Sequence, residues 1–396
     1  CMRYLRAVPI TLMIIIYMFS ISIPAILGEN SDGYSIGVEW VRRYKLLPGD
    51  DKPYCVAEKD GYIYVTGVAG VGTNNFKTYI FKIDKAGGYI RGSWRAPAEG
   101  CLIELHDCGF IGDYLYVVGI SCAKPGDDQW LMLIFDENLN LLKKVEENPT
   151  PNADWAHALT SNGKYIYIVG GINGTGGYKR VMVWQWRVEK RGLDLSLDKV
   201  YVSNKIYGGR PYDVALNPVT GDVWVVGADR NSSESEKVFK WSILILDKDL
   251  NEVKTIEPGL QGQALTLCFD NQGNAYIGGD DAVIKVDAGG NIVAVKQFAN
   301  TSLVKSLCID GLEFMVGDTL ANKSERHQIA VLLDNNLNVL AYRELHDPTN
   351  ASSSYFDIGS MAADGRNIFV AGYEEALMYN KSFEWVFVQN LFAEER

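Results

Sequence analysis

The chain has 396 residues, 47% hydrophobic and 22% charged, with 49 acidic against 38 basic side chains and a formal net charge of −11. So acidic a balance argues against nucleic acid as a partner. The apolar content argues against a disordered chain.

Residues 1–9 carry Arg3 and Arg6, and residues 10–27 are uncharged and mostly apolar. A basic flank followed by an apolar run of that length reads as a signal peptide or a membrane anchor, assigned here to residues 1–28. The positive flank would leave the rest of the chain outside the cytoplasm, at the cell membrane or secreted after cleavage. Residues 29–47 form a linker and then a strand-like segment, IGVEWVRRYKL at 36–46. A ring of sheets must be closed, so this segment is expected to pack on the edge of the last sheet, beside or in place of the C-terminal strand. The alternative is donation to a neighbouring molecule.

Residues 48–392 repeat one pattern, and 393–396 are a short tail. A turn and an apolar strand ending in glycine recur as DGYIYVTG at Gly67, GDYLYVVG at Gly119 and NGKYIYIVG at Gly170. They return as GDVWVVG at Gly227, QGNAYIG at Gly278, DGLEFMVG at Gly317 and DGRNIFVAG at Gly372. A third strand follows each: TYIFKID, WLMLIFD, VMVWQW, WSILILD, AVIKVD, IAVLLD and ALMYN. Between the second and third strands of the fifth repeat, residues 279–281 leave almost no loop. Four short strands per repeat of roughly 40 to 50 residues is the signature of a β-propeller. The expected architecture is all-β, a seven-bladed propeller with an outer strand at 383–390, FEWVFVQN, ending the last blade.

The run DVALNPVTGDVWVVG, residues 213–227, resembles the SBBP-type β-propeller repeats of secreted prokaryotic proteins. The resemblance covers about residues 50–392 at the level of the repeat. It implies a propeller scaffold and carries no activity with it.

Seven cysteines are present. Cys101 and Cys122 face each other across the hairpin of the second repeat, so a disulfide is expected there, in keeping with an oxidising compartment. Cys55, Cys108, Cys268 and Cys308 stand late in the first strands of four different repeats and read as buried free thiols. Six Asn-x-Ser/Thr sequons, at Asn173, Asn231, Asn300, Asn322, Asn350 and Asn380, suggest glycosylation. They avoid the first two repeats, whose side of the ring then offers an uncovered contact surface.

Chemistry is thinner. Asp51, Glu104, Asp154 and Asp357 enter the first strands of the first, second, third and seventh repeats. Together they would make half of the channel mouth acidic and could gather Ca²⁺ or a cationic ligand. Against that stands a solvated acidic rim. His106 and His157 lie on adjacent first strands and can approach the channel, but no nucleophile motif accompanies them. Tyr34, Tyr207, Tyr212 and Tyr355 stand near loops, where they would line a sugar or peptide surface. Two readings follow. One is an anchored, glycosylated module binding a protein or glycan at the cell surface, with no turnover. The other is a metal-dependent, lactonase-like hydrolase using Asp51, Glu104, Asp154 and His106 or His157.

Overall fold

The computed structural model describes residues 33–44, 46–47, 50–71, 76–96, 103–124, 127–175, 183–204, 209–229, 239–309, 311–322, 325–345, 358–364, 367–378 and 381–395. The expected signal or anchor segment lies outside them. Among the described residues no helix is long and apolar enough to cross a membrane.

The fold is an all-β propeller. After β1 (Tyr34–Tyr44), the first sheet is β2 (Asp50–Lys59), β3 (Tyr62–Val71), β4 (Lys77–Asp84) and β5 (Ile90–Arg95). The second is β6 (Glu104–Ile111), β7 (Tyr114–Lys124), β8 (Asp127–Phe135) and β9 (Leu141–Glu147). The third is β10 (Ala153–Ser161), β11 (Tyr165–Thr175), β12 (Val183–Gly192) and β13 (Leu197–Val202). The fourth is β14 (Pro211–Leu216), β15 (Val223–Asp229), β16 (Lys240–Leu246) and β17 (Glu252–Ile256).

A six-stranded sheet follows: β18 (Ala264–Phe269), β19 (Ala275–Val286), β20 (Ile292–Ile309), β21 (Leu312–Asn322), β22 (Glu325–Asp334) and β23 (Val339–Glu344). The last sheet holds β24 (Ile358–Asp364), β25 (Asn367–Met378) and β26 (Lys381–Glu395), with β1 at its outer edge.

Counted as hydrogen-bonded sheets, the blades are therefore six, not the expected seven. The fifth and sixth repeats share one sheet because their loops are too short to break it. β19 pairs with β18 up to Gly279 and with β20 from Asp280 onward. β20 then continues to its pairing with β21. Asp281 and Asn300, at φ of 60° and 57°, turn the chain at these two places. The sheet folds on itself, and Tyr276, Val283, Phe298, Leu303, Met315 and Val331 pack as one buried cluster between its halves.

The last sheet also departs from expectation. Residues 376–378 belong to the second strand rather than to a separate third one. β25 runs on to Met378, which stands opposite Lys381 at the start of β26. That leaves the outer place open, and β1 fills it, antiparallel to β26 from Tyr34 opposite Glu395 to Tyr44 opposite Val386. The ring is thus joined by strands from both ends of the chain. Trp40 and Tyr44 of β1 are buried with Phe81 and Ile83 of the first sheet.

Burial follows position in the blade. The third strands are packed on both faces, so WLMLIF in β8 is buried throughout, as is WSILIL in β16. Continuous apolar runs are what a sheet covered on both sides requires. Outer strands such as β9 face solvent. The aspartates ending the third strands form the next turn. Asp247 Oδ1 accepts from Asp249 N and Asn251 N, and Asn251 Nδ2 donates to Oδ2 at 2.7 Å. Asp136 with Asn140 and Asp334 with Asn338 repeat this. Within these turns Leu139, Leu250 and Leu337 hold φ near 60° and bury their side chains between blades.

The recurring glycine has a steric cause. Each first strand carries a β-bulge where it passes that glycine. The register shifts between Leu105 and Asp107 opposite Gly119, and between Pro211 and Asp213 opposite Gly227. The bulge drives a carbonyl oxygen over the glycine Cα, Glu104 O at Gly119 and Arg210 O at Gly227, where a Cβ would overlap it. In the fifth repeat the constrained glycine is Gly279, under Gln263 O, rather than Gly278.

Two predictions follow from this packing. Gly227→Ala should cost at least about 2 kcal/mol, because backbone rather than a flexible side chain must move. Urea unfolding checks it, and a loss under about 0.5 kcal/mol would contradict the steric account. The second concerns Glu313 in β21, which is 1% exposed. Burial pushes its pKa from the usual 4.5 up to about 7, against the opposing pull of Tyr276 and Lys285. The fold favours the neutral acid, so this stability is full below the unfolded value and is lost as pH rises through about 7. The melting temperature should fall between roughly pH 5 and 8, and Glu313→Gln should flatten that slope. An unchanged slope in the variant would refute the assignment.

Candidate functional site

The bulges aim side chains at the channel, as bulges do at barrel rims and beside active sites. The residue skipped by the register is Tyr54 in β2, His106 in β6, His157 in β10 and Tyr212 in β14. In β18, β20 and β24 it is Leu265, Val304 and Gly359. One side of the ring is therefore aromatic and the other aliphatic or bare. The aromatic residues touch in sequence. Tyr54 lies edge-on to His106 with centroids 5.8 Å apart, His106 stacks on His157 at 5.2 Å, and His157 reaches Tyr212 at 6.1 Å.

Both imidazoles are built into the rim. His106 Nδ1 donates to Ala156 O at 2.8 Å, and its Nε2 lies 3.2 Å from Glu104 Oε2. His157 Nε2 is shut off from solvent and has no hydrogen-bond partner. Burial, with Arg210 and His106 nearby, holds its pKa well below the usual 6.5, so the ring is neutral.

Two residues before each bulge stand Glu104, Trp155, Arg210 and Gln263, and these form the mouth. Trp155 packs on Trp184 with centroids 4.9 Å apart and donates from Nε1 to Asp128 Oδ2 at 2.8 Å. The Arg210 guanidinium lies 5.1 Å from the centre of the Trp155 ring and 5.5 Å from that of Tyr212. The Tyr212 hydroxyl donates to Gln263 Oε1. With Gly209 and Phe239 these residues line a cleft of about 270 Å³.

The residue after each bulge lines the lumen. Lys305 of β20 faces Asp107 of β6 and Asp213 of β14. Burial alone would lower the lysine's pKa, but the two carboxylates outweigh it and raise it, so the ammonium persists. The aspartates also tie neighbouring inner strands together. Asp107 Oδ2 accepts from Leu159 N at 2.9 Å, and Asp213 Oδ2 accepts from Leu267 N at 3.0 Å. Thr266 and Ser306 join by their hydroxyls at 2.9 Å in the matching place.

Cysteines fill the same role elsewhere. Cys55 and Cys108 are a disulfide with Cα atoms 5.8 Å apart, as are Cys268 and Cys308 at 5.6 Å. The expectation of four buried free thiols is thus overturned. Inner strands of successive repeats converge on the channel axis, so cysteines in different repeats come within bonding range. Cys101 and the side chain of Cys122 lie outside the described residues, and so does their expected bridge.

The acidic positions do not form one set. Asp51 and Asp154 fall three residues before their bulges and are fully buried. Asp51 accepts from Leu46 N at 2.7 Å and Gly70 N at 3.1 Å, and Asp154 from Thr150 N at 2.8 Å and Asn173 N at 2.9 Å. Each carboxylate latches the loop ahead of its strand. Glu104 is one step further along and stands at the mouth beside His106. One residue of offset turns a strand side chain to the other face. Asp357 lies outside the described residues. Among the described residues no three His, Cys, Asp or Glu side chains are placed to hold a metal ion.

Of the sequon asparagines, Asn300 is exposed in β20, and Asn173 is half-buried, its Oδ1 accepting from Asn152 Nδ2 at 2.6 Å. Asn231, Asn350 and Asn380, and the side chain of Asn322, lie outside the described residues. So do Tyr207 and Tyr355. Tyr34 sits far from the mouth, against the core under β1.

No protein-family model and no curated protein matches the chain. Among solved structures it is similar to Raptor from Chaetomium thermophilum, with TM-score 0.56 and 9% identity over 92% of this chain. It is similar to a streptogramin B lyase, with TM-score 0.56 and 12% identity over 92% of this chain and all of that one. It also resembles an acylaminoacyl peptidase from Pyrococcus horikoshii, with TM-score 0.50 and 11% identity over 86% of this chain. The alignment spans 29% of the Raptor chain and 52% of the peptidase. At these identities the likeness concerns the propeller fold alone.

Proposed function

We propose that the chain is an extracytoplasmic binding module, a propeller of SBBP-type repeats whose ligand seats at the channel mouth. The observation that supports this most is the division of labour at the mouth. Asp51, Asp154 and His106 are engaged in hydrogen bonds that hold the fold, while the Trp155 and Tyr212 rings and the Arg210 guanidinium border the cleft. Such a surface can hold a ligand. Two disulfides suit an oxidising compartment. Retention of residues 10–27 would keep the module on the outer side of the cell membrane, and the sequons would carry glycans there. Its partner is a glycan or protein of the cell surface.

The lactonase-like alternative draws no support from the placement of Asp51 and Asp154, whose oxygens are already taken by backbone amides. The purified protein, disulfides intact, should be retained on the envelope fraction of its own cells and should release no product from it. Trp155→Ala should reduce retention at least tenfold when compared with wild type well below the melting transition of the variant. Equal retention of the variant, no retention of the wild type, or release of product in proportion to added protein would overturn the reading.

A further inference from the structure

The cleft at the mouth has an unusual charge state. The protein carries a net charge of −11, yet among the described residues the Arg210 guanidinium meets no carboxylate. It is held between the faces of Trp155 and Tyr212, a cation–π arrangement that fixes a guanidinium without satisfying its N–H groups. A planar fork of unpaired N–H donors matches a carboxylate, which it binds through two parallel hydrogen bonds.

The walls add a second requirement. Trp155, Trp184 and Phe239 offer apolar ring faces, while Gln263 and Tyr212 stand beside them with an amide and a hydroxyl. The Gln263 carbonyl already accepts from Tyr212, which leaves the amide N–H groups to donate and the phenolic oxygen to accept. The space, about 270 Å³, is just below the range of drug-sized sites and suits one ring.

We propose that this cleft binds a single acidic sugar residue, a pyranose carrying a carboxylate, at the end or along the length of a glycan. The proposal rests on reading the mouth as the binding site. The carboxylate pairs with Arg210. The C–H face of the ring lies on Phe239, and ring hydroxyls meet Gln263 and Tyr212. An aromatic acid of similar size would satisfy Arg210 and the rings but offer the Gln263 amide nothing to donate to. A neutral sugar would leave the guanidinium without a carboxylate partner.

The test uses methyl β-D-glucuronide, methyl β-D-glucoside and benzoate as probes, with calorimetric titration of the whole protein. The glucuronide should bind at least tenfold more tightly than either other probe. Arg210→Met should abolish that preference, and Arg210→Lys should restore part of it. Glucoside binding as tight as glucuronide, tighter benzoate, or full glucuronide affinity in Arg210→Met would overturn the proposal. The wild-type comparison among probes needs no variant and so stands if Arg210→Met fails to fold. Glucuronide should also displace the wild type from the envelope fraction. Retention that depends on Trp155 but ignores glucuronide would end the acidic-sugar proposal and leave the binding module standing. Absence of any retention would remove both.

Discussion

The organising constraint is a close backbone contact. In successive repeats an inner-strand carbonyl lies over a glycine of the second strand, and no side chain can stand between them. The inner strand reaches that position by a bulge. A bulge adds one residue and local twist, so the side chain at that point is re-aimed. In an even strand Tyr54, His106, His157 and Tyr212 would alternate into the packed space between blades. The bulge instead brings them together along the rim of the channel. Packing geometry and site geometry have the same origin.

Beneath the rim, several inner strands are fastened to the next by whatever chemistry the sequence supplies. Between β2 and β6 it is a disulfide, between β6 and β10 an aspartate on an amide, between β14 and β18 another aspartate, and between β18 and β20 a hydroxyl pair. These lie closest to the axis, where the strands converge and where slippage of one repeat against the next would begin. Lys305 offsets the like charge of Asp107 and Asp213 across the lumen, which otherwise would repel. The last link in the ring is made by β1, whose pairing with β26 joins the two ends of the propeller.

The fold was largely legible in the sequence. The glycines at 67, 119, 170, 227 and 317 mark a real steric demand, and the aspartates at 136, 247 and 334 mark real turns. What was not legible has physical reasons. Hydrophobic pattern shows that the fifth and sixth repeats are separate units, but not that β20 runs unbroken from one into the other and so joins their sheets. ALMYN reads as a third strand, because a long second strand and a short third look alike in pattern. The thiols at 55, 108, 268 and 308 were placed correctly on inner strands, yet strand placement alone does not say how near the axis those strands run. The acidic positions were aligned without the bulges, so Asp51 and Glu104 appeared equivalent when they are one residue apart. Arg210, Trp155 and Gln263 went unseen for the same reason. Once the bulge is known, they fall at one position, two residues before it.

The account depends most on neighbouring inner strands lying side by side in this register. A peptide map of the native protein under non-reducing conditions tests it most directly. The account predicts two cross-linked peptide pairs, one joining Cys55 to Cys108 and one joining Cys268 to Cys308. Free thiols at these four positions, or a different pairing among them, would contradict the arrangement of strands around the channel and the site built upon it.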